Sequence, residues 1–439
     1  RSSPGFGYGI PLVLERHGWA ARTYLVNPRG GDLHGMKVYG SLDDVEGSVD
    51  LAVVVVPARS VPGVMDDIGR KGIRHAIVES AGFAETGTGG AALQEEVMAA
   101  AREHGIRVIG PNCVGVVNTA NGFSTVEVID EAMNPGSTAI IAQSGVFGAV
   151  MLDMLHEHRL YVSKAVTLGN RMDVGEAEVL EYLRADPQTT VVMMYLEGAA
   201  DGRELLEALE STAREKPVLV LKSGRSPEGR RATASHTASI SGEDALYDAA
   251  FRQSGAVRAD SLEELVEMAR AFSALPLPRG GRLAIVTSSG SLGVLAADTA
   301  VSRGLVVPAL GAETARRITL GAPAWMNVRN PVDVGPSTQF PAALAAVLED
   351  PGIDMVLAIT VMPYAIFRAV TGRGSTGVNW FGDISGIYAE RSAKPLAVCA
   401  VGHHDFIERM REISGPAVPV FASPEPAVKA LAALRSYAR

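Results

Sequence analysis

The sequence has few cysteines, few aromatic residues and no long hydrophobic run. Cys113 and Cys399 are its only cysteines, and two thiols cannot build the disulfide framework of a small secreted protein. No apolar stretch approaches the roughly 18 residues that span a bilayer, and residues 1–5 contain no hydrophobic signal core. We therefore expect a cytoplasmic protein without a membrane partner.

Net positive charge is also lacking. The chain carries 40 Lys and Arg residues against 49 Asp and Glu residues, a formal net charge of −9, and no sustained basic stripe offsets it. Nucleic acid is therefore not an expected partner, whereas a local basic pocket for a phosphorylated small molecule is compatible with this charge. The 439 residues, 47% of them hydrophobic, predict about three globular domains of roughly 150 residues each.

Glycine, in contrast, is abundant, with 47 residues. Short β-branched runs alternate with amphipathic stretches of helical length, which predicts α/β layers with parallel sheets. We predict a Rossmann-like domain over residues 1–130, followed by two flavodoxin-like domains over residues 131–277 and 278–439. The first block opens inside a glycine-rich turn instead of on a strand, so we expect that its first strand is missing. Its predicted strands cover residues 23–26, 51–56, 75–79 and 107–109.

The second and third blocks look like copies of one another. In the second, a predicted strand over residues 138–142 leads through Gln143-Ser144-Gly145 into a helix. In the third, a strand over residues 283–286 leads through Ser288-Ser289-Gly290 into another helix. Markers in the same order favour a duplicated domain, although strand–glycine–helix turns are common to all α/β domains.

The residues after the strand predicted over 23–26 indicate the ligand of the first block. A strand that grips the ribose of a nicotinamide dinucleotide normally ends in Asp or Glu, but here Arg29 stands beside two glycines. Arginine favours a phosphorylated ribose, and coenzyme A carries a 3′-phosphate at that position. We therefore predict coenzyme A, not NAD, although plain structural turns remain an alternative for the glycine-rich opening. The predicted CoA-binding residues are Gly5, Gly7, Asn27, Pro28, Arg29, Val56, Pro57 and Ala58.

One of the nine histidines stands out by its surroundings. His236 lies within residues 229–242, a segment made mostly of Gly, Ala, Ser and Thr, which predicts a flexible loop with room for a phosphoryl group on the imidazole ring. An imidazole is a competent nucleophile near neutral pH. The alternative is a solvated loop with an incidental histidine. The rival histidines, His403 and His404, stand at an ordinary helix start, and no metal-ligand set surrounds them.

A phosphorylated histidine needs hydrogen-bond donors for its oxygens and a partner for its second ring nitrogen. The turn Gln143-Ser144-Gly145 at a helix start supplies backbone N–H groups and a hydroxyl. Glu197 ends an apolar strand, where a carboxylate could orient the ring; the alternative is a charge at a strand end that faces water. The third block has the helix start but neither the carboxylate nor the small-residue segment.

Together these residues resemble the ADP-forming acyl-CoA synthetase family, which is related to succinyl-CoA synthetase, over essentially the whole chain. The resemblance identifies a phosphohistidine segment, its supporting glutamate, a phosphate-binding helix start and motifs of a CoA-binding domain. The segments that carry it are Ser235-His236-Thr237, Glu197, Ser144-Gly145, Asn27-Pro28-Arg29, Val56-Pro57-Ala58 and Gly110-Pro111-Asn112-Cys113. Nothing in the sequence resembles the ATP-grasp domain that completes enzymes of this family.

The resemblance implies the reaction acyl-CoA + ADP + phosphate ⇌ carboxylate + CoA + ATP. An acyl phosphate would form near Ser144 and Asn112, and His236 would carry its phosphoryl group to ADP. ADP or ATP and Mg²⁺ would bind to an ATP-grasp domain or β subunit, so we expect an oligomer. A CoA-binding regulatory or acyltransferase relative without phosphoryl transfer is the alternative, and a nicotinamide oxidoreductase is disfavoured by Arg29.

Overall fold

The computed structural model describes residues 7–128, 130–237, 243–320, 322–323, 325–371, 380–391 and 394–438, without the side chains of residues 234–237. The chain divides into two compact units, Arg1–Asp260 and Ser261–Arg439. The predicted boundaries after residues 130 and 277 stay predictions. Within the described ranges, no helix combines the length and the apolar character that a membrane span requires.

The first unit begins with two three-stranded sheets. One has the order β1-β3-β2, and the other is parallel with the order β4-β5-β6. Helices α2 and α3 pack on the second sheet around Met65 and Val97, which are fully buried. The elements are α1 Ile10–Arg16, β1 Leu25–Val26, β2 Gly31–Leu33, β3 Met36–Tyr39, β4 Ala52–Val54, α2 Val61–Arg70, β5 His75–Val78, α3 Thr88–His104 and β6 Arg107–Ile109.

A seven-stranded sheet forms the rest of the first unit, in the order β13-β12-β11-β9-β10-β7-β8. Strands β9 to β13 are parallel, and β7 joins β10 in antiparallel orientation. Strands β7 and β8 therefore extend the seven-stranded sheet although they precede residue 130. The elements are β7 Val116–Asn118, β8 Phe123–Ser124, β9 Thr138–Ala142, α4 Gly145–Glu157, β10 Val162–Thr167, α5 Glu176–Ala185, β11 Val191–Leu196, α6 Gly202–Ala213, β12 Val218–Lys222, α7 Pro227–Thr237, α8 Asp244–Ser254 and β13 Val257–Ala259.

The second unit has a five-stranded parallel sheet in the order β15-β14-β16-β17-β18. Its core strands, such as β16, are almost continuously buried, as expected for a parallel sheet covered on both faces. The elements are α9 Leu262–Ala274, β14 Leu283–Thr287, α10 Gly290–Ser302, α11 Ala312–Thr319, β15 Val332–Asp333, α12 Phe340–Glu349, β16 Met355–Met362, α13 Tyr364–Thr371, α14 Ile384–Ala389, β17 Leu396–Gly402, α15 His404–Ser414, β18 Val420–Phe421 and α16 Pro424–Tyr437.

The two larger sheets share one topology. Numbered in chain order within each sheet, the parallel strands β9–β13 and β14–β18 both run 2-1-3-4-5, which is the flavodoxin-like order. The fold class predicted from the sequence is confirmed. In such sheets the order reverses beside the first strand, and ligands bind at the carboxyl ends of the strands there. In the first unit this place lies where β9 and β11 end.

Candidate active site

The start of helix α4 has the features of an anion-binding site. Ser144 is its N-cap residue, with extended backbone angles, and the serine hydroxyl makes no capping hydrogen bond to the helix. A Cβ on Gly145 would lie 3.0 Å from Val114 Cγ1, so glycine allows the helix start to pack closely there. The backbone N–H groups of the first turn and the positive end of the helix dipole therefore favour a negatively charged ligand.

Gln143, which precedes this turn, is buried and uses its amide inside the protein. Its Oε1 accepts hydrogen bonds from the backbone N–H of Glu197 at 2.6 Å and of Gly198 at 3.1 Å. Its Nε2 donates to the Gly198 carbonyl at 2.7 Å and to Glu176. The backbone N–H of Gln143 donates to Tyr195 at 3.3 Å. The predicted phosphate contact of Gln143 finds no support in this geometry, because its donors already have protein acceptors.

A buried ion pair supports the same turn. Arg171 Nη1 lies 2.5 Å from Glu176 Oε1 and donates to the Gly198 carbonyl at 2.8 Å. The side chains of Arg171 and Glu176 are only 8% and 7% exposed. Arg171 has φ +54°, in the left-handed region that few residues other than glycine adopt. The strained backbone at Arg171 is held where its guanidinium reaches the turn after β11.

Glu197 is buried, with 5% exposure, so the alternative of a water-facing charge at the strand end is wrong. Its Oε2 has no hydrogen-bond partner among the residues that the structure describes. The strand that carries it is tied to α4 by stacking of Tyr195 on Phe147, with ring centroids 4.0 Å apart. Burial, together with the charge of Glu197, raises the pKa of Tyr195. A buried carboxylate oxygen without a partner normally costs about 1–3 kcal/mol and indicates a place for an incoming donor.

Lys222, which the sequence analysis missed, ends the neighbouring strand β12 and is 1% exposed. Leu196, the residue before Glu197, pairs with Lys222 in the sheet. The ammonium group donates to the Ser223 carbonyl and lies 4.6 Å from the centre of the Tyr247 ring. Burial lowers the pKa of Lys222 to about 8. In the sequence, the one feature that could have indicated Lys222 is its position as a lysine at the end of an otherwise apolar strand.

Asn112 lies close to the start of α4. Its φ of +59° is left-handed, and its Nδ2 donates to Asn170 Oδ1 at 3.3 Å. Asn170 in turn donates to Glu85 at 2.7 Å. A Cβ on Gly145 would also lie 3.3 Å from the carbonyl carbon of Cys113, the residue that follows Asn112. The segment that contains Asn112 therefore passes close to Gly145, and the role of Asn112 in binding an acyl phosphate stays a prediction.

His236 belongs to the last turn of α7 and not to a loop, so the predicted loop is wrong for residues 229–237. Ser226 Oγ accepts a hydrogen bond from the Gly229 N–H at 3.0 Å, and the alanines that follow favour a helix. Helix α7 lies beside the turn Ala84–Thr86. The side chain of His236 and residues 238–242 lie outside the described part of the chain.

The rival histidines have structural explanations. His403 Nδ1 accepts a hydrogen bond from the Asp405 N–H at 3.3 Å, which caps α15. Its ring stacks on Tyr364 with centroids 3.8 Å apart. His404 is the first residue of α15 and is exposed.

Gly7, one of the predicted CoA-binding residues, has φ +79°, and a Cβ there would lie 2.6 Å from Val55 Cγ1. Only glycine therefore allows this close approach to the segment that continues into Val56, Pro57 and Ala58. Ser80 Oγ holds that segment, because it accepts from the Val56 N–H at 3.1 Å.

The turn at Asn27, Pro28 and Arg29 is closed by a hydrogen bond of 3.1 Å from the Arg29 N–H to Asn27 Oδ1. Arg29 is exposed, and its guanidinium has no ion-pair partner in the described residues. Gly5 lies outside them.

Glu79 also carries a buried carboxyl group, and the sequence analysis did not identify it as a candidate. It follows β5, is 3% exposed, and its Oε1 has no hydrogen-bond partner in the described ranges. Burial, with a smaller contribution from the charge of Glu127, raises the pKa of Glu79 to about 8. Glu127 Oε1 accepts a hydrogen bond from the Gly9 N–H at 2.8 Å. A neutral carboxyl group therefore lies near the glycine-rich opening at neutral pH.

Comparisons with known proteins agree with this architecture. A family described as CoA binding domain matches residues 2–119, and one described as succinyl-CoA ligase like flavodoxin domain matches residues 135–272. The alpha subunit of acetate–CoA ligase [ADP-forming] II from Pyrococcus furiosus is 34% identical over 99% of this chain and 93% of its own length. Acetate–CoA ligase [ADP-forming] II from Archaeoglobus fulgidus is 36% identical over 99% of this chain, but this chain covers only 64% of it.

A solved structure agrees too. Dinucleotide-forming acetyl-coenzyme A synthetase 1 from Candidatus Korarchaeum cryptofilum, in complex with phosphate and ADP, is 31% identical with a TM-score of 0.87. The similarity covers 98% of this chain and 91% of that one. These matches define a protein with a CoA binding domain and a succinyl-CoA ligase like flavodoxin domain. The chain belongs to the ADP-forming acetate–CoA ligase family.

Proposed function

We propose that this chain is the CoA-binding and phosphohistidine-bearing part of an ADP-forming acyl-CoA synthetase. The reaction is acyl-CoA + ADP + phosphate ⇌ carboxylate + CoA + ATP. The observation that carries the proposal is Glu197, a buried carboxylate whose Oε2 has no partner among the described residues, at the sheet edge where Ser144 and Gly145 begin helix α4. The end-to-end similarity to an alpha subunit of an acetate–CoA ligase supports the same reaction.

The first step forms an acyl phosphate. A phosphate oxygen attacks the thioester carbonyl, the carbon–sulfur bond breaks, and CoA leaves as its thiolate. The Ser144 hydroxyl and the backbone N–H groups that begin α4 hold the phosphate oxygens, and Asn112 lies at the side of the same turn. Donors fixed by the fold need little reorganisation when negative charge develops, so few side chains suffice.

The second step moves the phosphoryl group to His236. A ring nitrogen of His236 attacks phosphorus, the bond to the acyl oxygen breaks, and the carboxylate leaves. Glu197 accepts a hydrogen bond from the other ring nitrogen and stabilises the positive charge on the phosphorylated ring. The Oε2 of Glu197, to which no residue of the described ranges donates, suits this role because a ring N–H can supply that donor.

Coenzyme A binds the first part of the chain in this proposal. Gly5 and Gly7 let backbone approach the pyrophosphate, and Arg29 pairs with the 3′-phosphate. The turns at Asn27 and Pro28 and at Val56, Pro57 and Ala58 complete the site. The close contact of Gly7 with Val55 and the unpaired, exposed guanidinium of Arg29 in the described chain support this assignment.

The acceptor ADP binds to a partner. The Pyrococcus furiosus relative is one subunit, and the Archaeoglobus fulgidus relative is longer than this chain. We propose that an ATP-grasp domain, present as a β subunit or as a further segment, holds ADP or ATP and Mg²⁺, so that the enzyme is an oligomer or a longer chain. The small carboxylic acid is acetate or a close analogue. The two free, buried cysteines favour a reducing, cytoplasmic location.

The test is ATP formation from acetyl-CoA, ADP and phosphate by the chain with and without an added ATP-grasp polypeptide. We expect turnover only with both components, and none when His236 is replaced with asparagine. His403→Asn is the matched control, because asparagine can also cap α15 and should leave turnover intact. Turnover by the isolated chain, or by the His236→Asn variant, would contradict the proposal. Thioester cleavage without any ATP would favour the acyltransferase alternative.

A further inference from the structure

We propose that Gln143 is a positioning residue for phosphoryl transfer, which fixes Glu197 relative to the start of helix α4. This inference rests on the proposed role of Glu197. Gln143 is 2% exposed and lies directly between strand β9 and the Ser144–Gly145 turn. Any movement of its side chain therefore changes the distance between the carboxylate and the phosphate-binding turn.

The contacts of Gln143 define the backbone that carries the carboxylate. One amide oxygen accepts from the N–H groups of both Glu197 and Gly198, and the amide nitrogen donates to the Gly198 carbonyl. Three of the backbone polar groups after β11 are thus bound by one side chain that comes from 54 residues earlier in the sequence. Such a pairing restricts the peptide on both sides of the Glu197–Gly198 bond.

Further side chains hold the turn from other directions. Arg171 Nη1 donates to the Gly198 carbonyl at 2.8 Å, and Glu176 accepts from both Arg171 and Gln143. The hydroxyl of Tyr247 accepts from the Ala199 N–H at 2.9 Å. The backbone N–H groups of residues 197, 198 and 199 all bind side chains. This support keeps a buried carboxylate oxygen in place although its burial is unfavourable.

The second unit offers an internal comparison at the same topological position. Ala142 pairs with Tyr195 in one sheet, and Thr287 pairs with Ile359 in the other, so Gln143 corresponds to Ser288 and Glu197 to Val361. Ser288 Oγ accepts from the Val361 N–H at 2.9 Å. A serine is therefore sufficient to join the two strand ends. The longer side chain of Gln143 occurs in the unit where the strand ends in a carboxylate.

A double-mutant cycle tests the inference in the complete enzyme, this chain with its ATP-grasp partner. The rate of acid-labile labelling is followed by rapid quench after mixing with acetyl-CoA and labelled phosphate without ADP. Gln143→Ser, which copies the second unit, should slow labelling by about 10- to 100-fold, the effect of a displacement near 1 Å. In a Glu197→Gln background the same substitution should change the rate less than about twofold, because Gln143 acts through the carboxylate.

Ser288→Ala is the matched control. It removes the same kind of hydrogen bond at the corresponding position of the second unit and should leave the labelling rate unchanged. Gln143→Ser should retain the CoA affinity and the circular dichroism of the wild type. If it does not fold, Gln143→Asn, which keeps an amide donor and acceptor on a side chain shorter by one methylene, takes its place in the cycle. If the two substitutions slow labelling independently, so that their rate losses multiply in the double variant, this inference is overturned and the proposed function is not. Absence of label on the wild-type enzyme would overturn the proposed function, and the inference with it.

Discussion

Replacing Lys222 with methionine should stabilise the first unit at neutral pH. Lys222 is fully buried at the end of β12, and its pKa is lowered from 10.5 to about 8. Burial is the main cause, and the charges of Arg258 and Arg230 act in the same direction. The carboxylates of Asp244 and Glu197 oppose it. The folded state therefore binds the lysine proton less tightly than the unfolded chain does.

The sign and size follow from proton linkage. Because the folded pKa of Lys222 is the lower one, the unfolded state binds more protons between pH 8 and 10.5, and wild-type stability rises with pH in that window. Below pH 8 the unfavourable contribution is fully present, and it amounts to roughly 3 kcal/mol. A methionine at position 222 does not titrate, so the variant lacks this pH-dependent contribution to stability. The stability difference between Lys222→Met and the wild type should therefore shrink by about 2 kcal/mol from pH 7 to pH 9.5.

The assay is urea unfolding at both pH values, with hydrogen exchange of strands β11 and β12 so that the first unit is followed separately. Lys37→Met is the control. Lys37 is exposed and lies 4.2 Å from the centre of the Tyr39 ring, so this variant loses a similar cation–π contact without burial. Its stability difference should be independent of pH in the same range. A Lys222→Met difference that stays constant with pH, or grows, would refute the reasoning.

Three further predictions concern single carboxylates and Arg29. Glu197→Gln should slow histidine phosphorylation at least tenfold with an unfolding midpoint no lower than that of the wild type, and unchanged phosphorylation kinetics would remove Glu197 from the mechanism. Arg29→Gln should weaken CoA binding but not dephospho-CoA binding in calorimetry; equal losses for both ligands would show that Arg29 does not contact the 3′-phosphate. Glu79 has a raised pKa of about 8, so its contribution to stability is present below pH 4.5 and is lost as pH rises to 8. Glu79→Gln should therefore be more stable than the wild type at pH 8.5 and not at pH 4.5, and equal differences at both values would contradict this.

The buried strands were predictable because their sequence leaves little choice. Strand β9 matches its predicted range, residues 138–142, since all five residues are apolar or small and buried on both faces. Strand β4 was predicted over residues 51–56 but covers Ala52–Val54. It is an edge strand that pairs only with β5 among the described strands, so its ladder ends where β5 ends. Apolar sequence does not reveal where hydrogen-bond pairing stops.

The site was predictable only in part. Glu197, Ser144 and Asn112 follow strands or begin a helix, and the topology brings such positions to one sheet edge. The hydrogen bonds of Gln143 and the Arg171–Glu176 pair depend on side-chain packing between distant segments, for which the sequence has no period. The helix over residues 227–237 was missed because small residues predicted a loop, whereas alanine also has the highest helix propensity.

The central claim is that His236 carries the phosphoryl group, and the most direct test locates that group. The complete enzyme is incubated with labelled ATP, and the labelled peptide is identified after digestion at alkaline pH. The account predicts an acid-labile, base-stable label on the peptide that contains His236, no label in His236→Asn, and normal labelling in His403→Asn. Label on another residue, or label that persists in His236→Asn, would contradict it.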